Sequence, residues 1–103
     1  MLSKNDSMLG KKCIIRCDRS GVFFGTVVEI EGQRCRFENF RKLHYWDGAT
    51  AIEGLAMCGT KLPDNCRFTL SVDVGEVYDM IQCIPCTNEA IKSIEGVKVW
   101  TIW

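Results

Sequence analysis

The sequence predicts an α+β domain: a twisted antiparallel sheet or partly open barrel, with one main short helix packed on it. Three observations carry that expectation. Segments rich in β-branched and aromatic residues dominate the chain. Short turns join them as hairpins, which favours antiparallel pairing. One main amphipathic stretch, Thr50 to Cys58, interrupts them. The predicted order is β-β-β-α-β-β-α-β.

Cys13 to Cys17 forms a short first strand. Asp18-Arg19-Ser20-Gly21 supplies turn chemistry, because Asp and Ser bond nearby backbone and Gly accepts positive φ. Val22 to Glu31 is a long strand, interrupted by Gly25, which points to a bulge or a close backbone approach. After a tight turn at Glu31-Gly32, Gln33 to Leu43 follows. There Cys35 and Phe37 alternate with Arg34, Arg36 and Glu38, so one face is wet. The alternation slips at Asn39-Phe40, where a bulge or the strand end is expected.

The main helix spans Thr50 to Cys58. Thr50 with Glu53 matches a capping box, and Asp47 is a competing cap. Ile52, Leu55, Ala56 and Gly59 form its inward stripe; Gly59 ends it and Pro63 prevents continuation. Arg67 to Val74 alternates strictly, with Phe68, Leu70, Val72 and Val74 on one face, which predicts a half-buried strand broken by Gly75. Val77 to Ile84 is the next strand, ended by Pro85. A second short helix spans Thr87 to Ile94. Val97 to Trp103 closes the chain as a strand that is apolar on both faces, either central in the sheet or covered by another subunit.

No repeat or linker divides the 103 residues, which suffice for one domain. Residues 1–10 are expected to be a flexible arm and 11–103 the domain. Thirteen basic residues balance thirteen acidic ones, so no overall field draws in nucleic acid or an anionic membrane, and any anion site must be local. No apolar run approaches the roughly 18–20 residues of a membrane span, and the polar start lacks the apolar core of a secretory signal. A cytosolic protein is expected. Seven cysteines, an odd number without a signal segment, imply free thiols acting as small apolar side chains.

The segment Arg41 to Thr50 concentrates the chemistry. Arg41 and Lys42 supply cations, His44 is the chain's single histidine, and Tyr45 and Trp46 offer aromatic faces in front of a helix start at Ala49-Thr50. Cations, aromatic faces and free helix N–H groups are the parts of a phosphate or nucleotide site. The same residues also serve ordinary packing, with Leu43, Tyr45 and Trp46 inward and Arg41 and Lys42 solvated. Arg19, in a Gly-containing turn, is a further anion candidate, through a backbone nest or by reaching the same pocket. Cys83-Ile84-Pro85-Cys86 is a single C-x-x-C pair. With one histidine it lacks the ligand set of structural zinc unless Cys13 and Cys17 join it, and its flanks give no cationic support for a redox thiolate. No nucleophile elbow, zincin or phosphate-loop pattern is present, so neither an enzyme nor a cofactor is expected.

Four patterns together resemble a known family: Gly21-Val22-Phe23-Phe24-Gly25; Arg41-x-x-x-Tyr45-Trp46-x-Gly48-Ala49; Leu55-Ala56-x-x-Gly59-x-x-x-Pro63-x-x-Cys66; and Ile84-Pro85-Cys86-Thr87. From Ile14 to Trp100 the chain resembles small tailed-bacteriophage proteins to which no activity is assigned. Family members often carry a histidine in the first of these turns, where this chain has Phe23 and Phe24. The resemblance implies expression in the cytoplasm of an infected bacterium. By analogy with phage proteins that counter host defence, it implies an oligomeric, non-enzymatic protein binding a small anionic ligand, as a sponge for a nucleotide immune signal. A protein-binding inhibitor of a host defence enzyme or nuclease, anchored by Trp46, Trp100 and Trp103, is the alternative. A nucleic-acid-binding accessory protein is a third reading, opposed by the neutral charge.

Overall fold

The computed structural model describes residues 7–101. Most of the expected N-terminal arm, and Ile102 and Trp103 of the expected last strand, lie outside the described residues. In chain order the elements are β1 (Lys12–Cys17), β2 (Val22–Glu31), β3 (Arg34–Tyr45), α1 (Ala51–Cys58), β4 (Arg67–Phe68), β5 (Val72–Val77), β6 (Met80–Pro85) and α2 (Asn88–Gly96). The fold is α+β, as predicted: one antiparallel six-stranded sheet ordered β4-β3-β2-β1-β6, with β5 also on β3. The outer edge of β3 is long enough for two partners. Cys35 to Phe40 pair with β5, and Leu43 and Tyr45 pair with β4.

The sheet is rolled but not closed. On a flat sheet β5 and β6 would sit four strand spacings apart, roughly 19 Å. Yet a two-residue turn joins them, and Val77 of β5 and Met80 of β6 share one buried cluster with Cys13, Ile15, Phe23 and Phe37. Bulges in the β2–β3 pairing, between Phe24 and Thr26 and between Val27 and Glu29, bend the hairpin. Gly25 sits at the first of these. A Cβ there would lie 2.7 Å from Phe40 Cβ, so the close approach expected at Gly25 is present. Phe23, Phe37 and Phe40 fill the roll, with ring centroids 4.8–5.8 Å apart.

Both helices cover the opposite face. Ile14, Phe24 and Leu43 of the sheet meet Ile52 and Leu55 of α1 and Ala90 and Ile94 of α2. β1 is therefore buried on both sides, which its run Cys13-Ile14-Ile15 reflects: all three are fully buried. Burying Ile14 and Ile15 contributes roughly 1.5–3 kcal/mol each.

Five local expectations change. Val77 to Ile84 is not one strand, since Val77 ends β5 and β6 begins at Met80 after a turn. Arg67 to Val74 is two strands, not one, and Gly75 lies inside β5 instead of ending it. Phe68 is fully buried, but Leu70 is 59% exposed. The chain leaves the ladder between them, because the Arg41 guanidinium and the Lys42 backbone N–H draw on Phe68 and Thr69. The Thr50–Glu53 capping box does not form. Ala51 has φ 55, which turns Thr50 away from the first-turn N–H groups, and Glu53 accepts from Gln82 instead. The final strand reduces, among the described residues, to a single parallel bridge from Phe68 to Val99. Finally, α2, capped by Thr87, is as substantial as the predicted main helix.

Candidate ligand-binding cleft

The segment Arg41 to Thr50 does not converge on one pocket. Period-two alternation along β3 sends Arg41 and Lys42 to opposite faces, the register shifts between Leu43 and Tyr45, and Trp46, Ala49 and Thr50 lie beyond the strand's end. Arg41 pairs in register with Phe24 and is 6% exposed. Its guanidinium donates to the carbonyls of Thr69 at 2.7 Å and Ile94 at 2.8 Å, and to Phe68 at 3.4 Å. Burial pushes its pKa down from the ordinary arginine value. Lys42 points the other way, over the Phe23 ring and beside Gly21. Trp46 and Ala49 pack against the helix-side core. Ala49 and Thr50 line a shallow cleft of about 470 Å³ with Gly54 and Lys61.

The Arg19 turn is already filled. The Asp79 carboxylate accepts from the backbone N–H of Arg19 at 2.7 Å and of Ser20 at 2.9 Å, and from Ser20 Oγ at 2.7 Å. Those bonds, the Ser20 hydroxyl first, hold Asp79 below the usual carboxylate pKa. The anion in this backbone nest is the protein's own, and Arg19 lines none of the clefts described.

What remains at the surface is an aromatic and cationic cluster. Tyr45 ends β3, 50% exposed, opposite Arg67 of β4. His44 stacks on Trp100, with centroids 4.9 Å apart and planes 8° from parallel. The Arg67 guanidinium lies 5.7 Å from the Trp100 ring centroid. Tyr45, Arg67 and Trp100 line a cleft of about 410 Å³ together with Asp47, Asp64 and Asn65. A second cleft of about 500 Å³ shares Trp100 and Asp64 and adds Lys98. Tyr45 and Arg67 are placed because β4 pairs with the end of β3. Gly48, with φ 76, lets the following loop close in, since a Cβ there would lie 2.5 Å from the Leu62 nitrogen.

Of the predicted site residues, then, Tyr45 and His44 share this cluster, while Arg41, Lys42, Trp46, Ala49, Thr50 and Arg19 lie elsewhere. Sequence pattern does not single out Arg67, and it offers Trp100 only as a contact anchor. Arg67 stands on the polar face of an alternating strand, a signal for exposure but not for which aromatic it meets.

The cysteines are all free thiols. Cys83 packs against the roll interior and Cys86, just past the end of β6, against the helix side, because residues three apart along extended chain face opposite ways. Cys13, Cys17 and Cys35 join Cys83 inside the roll. Burial pushes the Cys17 and Cys35 thiols up to about 12 and Cys86 to about 11; Cys83 is raised by thiol–thiol hydrogen bonding with Cys13 and by burial. Such thiols stay protonated and unreactive at neutral pH. Among the described residues no group of three or more His, Cys, Asp or Glu side chains is arranged to hold a metal. None of the described helices is long and apolar enough to cross a membrane.

The rolled antiparallel sheet, helices on one face and an open aromatic cleft at the β3 end define a small α+β domain with a surface recess. The chain belongs to the family described as a domain of unknown function, DUF6948, whose profile matches residues 10–94. No curated protein and no solved structure matches it.

Proposed function

We propose that this is a non-enzymatic binding protein whose cleft at Tyr45, Arg67 and Trp100 takes a small anionic ligand with a planar ring, of the nucleotide class. The observation that carries this reading is the juxtaposition of a half-exposed tyrosine with an arginine–tryptophan pair in one recess. The ring stacks on Tyr45, Arg67 and Lys98 meet the anionic group, and Asp47, Asp64 and Asn65 offer acceptors to ring amino groups. Two cations against two carboxylates favour a singly charged phosphodiester over a polyphosphate. The single histidine is stacked on Trp100, a packing role that suits a rigid binding surface. The tailed-phage resemblance extends the proposal to sequestration of a nucleotide immune signal in the host bacterial cytoplasm.

Isothermal titration against a panel of cyclic and linear nucleotides tests the reading. At least one is expected to bind, with Tyr45→Ala and Arg67→Ala each weakening it by roughly tenfold or more. Heatless titrations across the panel sink it.

Self-association is part of the proposal. The outer edge of β5 and the loop before it expose Leu70, Val72 and Val74, an edge that soluble proteins usually protect. The same stripe favours the second reading, a protein-binding inhibitor of a host enzyme. A stoichiometric host partner captured without nucleotide binding selects that reading over the first.

A further inference from the structure

The Arg41 guanidinium is buried without a carboxylate. None of the described ion pairs includes it, and its partners are three carbonyls, one of them at the C-terminal end of α2, where the helix dipole favours a cation. Those bonds leave N–H donors unused. The side chain lines a cleft of about 290 Å³ between the sheet and the end of α2. Asn39 and Ser71 also line it, and neither side chain hydrogen-bonds to a described residue. The remaining walls are Phe24, Val97 and Val99, with Glu95 at the rim held by Lys12. A buried cation, two neutral donors and three apolar walls suit a monoanion with a short hydrocarbon tail. The rim carboxylate disfavours a dianion.

We propose that this cleft binds a small organic monocarboxylate, its carboxylate on Arg41, Asn39 and Ser71 and its tail against Phe24, Val97 and Val99. This site is separate from the Tyr45 cleft and does not depend on it. The test is an NMR titration of the full chain, at constant ionic strength, with acetate, propionate and butyrate, following the Arg41 Nε–Hε resonance. Saturable shifts are expected, with affinity rising by roughly fourfold per methylene. Ser71→Phe, at an exposed position, fills the cleft and is expected to abolish the shifts while the remaining spectrum stays native; Tyr45→Ala leaves them unchanged. Drift without saturation up to roughly 100 mM, equal binding by Ser71→Phe, or tighter binding of inorganic phosphate than of butyrate overturns the proposal.

Discussion

Asp79 accepts three hydrogen bonds from the turn between β1 and β2, so one carboxylate ties that turn to the turn between β5 and β6. Its folded pKa lies below the ordinary 3.8. The stabilisation is therefore complete above that value and is lost as pH falls through the lowered one. Thermal melts of the wild type and Asp79→Asn are expected to differ most near neutral pH and to converge below the folded pKa; a gap independent of pH contradicts this. Arg41→Ala strands carbonyls on two elements and is expected to cost roughly 2–4 kcal/mol in urea unfolding with little change in slope. Neither role was legible in the sequence. The Asp79 contacts span 59 and 60 residues, and those of Arg41 span 27, 28 and 53, so local pattern held no trace of them.

Turns and hydrophobic period placed most elements well: β2 runs from Val22 to Glu31 as read, and α1 ends at Gly59, whose N–H bonds Leu55. Alternation misled at Arg67 to Val74, because exposed Leu70, Val72 and Val74 obey the same period as buried Phe68. A period reports which residues share a face, not whether that face is covered. Capping separates the two helices in a measurable way. Thr87 Oγ1 accepts from the Ala90 N–H at 3.1 Å, whereas Thr50 makes no cap bond. Thr87→Ala is expected to cost about 1 kcal/mol, and Thr50→Ala under about 0.5 kcal/mol; equal losses in denaturant melts contradict the assignment. Gly25→Ala pushes a methyl into Phe40 and is expected to cost roughly 1–3 kcal/mol by the same measurement.

At the scale of the whole molecule, the sheet separates a thiol- and phenylalanine-filled roll from a helix-covered core. The hairpins β1–β2 and β2–β3 follow from short turns, but the pairings β1–β6 and β3–β5 are long-range and invisible to sequence pattern. Equally long-range contacts scatter the candidate segment: α2 covers the face that buries Arg41, while the β4 pairing presents Tyr45. The central claim is that the exposed cluster at the end of β3 binds a planar anionic ligand. It is tested most directly by the indole N–H resonances of the tryptophans during titration with 3′,5′-cyclic AMP and the other nucleotides of the panel. Trp100 lines the cleft and Trp46 packs on the core. The account predicts that a binding nucleotide shifts the Trp100 resonance saturably and leaves Trp46 in place, and that in Arg67→Ala the Trp100 shift needs roughly tenfold more nucleotide or is lost. Movement of Trp46 alone, or a response that survives Arg67→Ala undiminished, contradicts it.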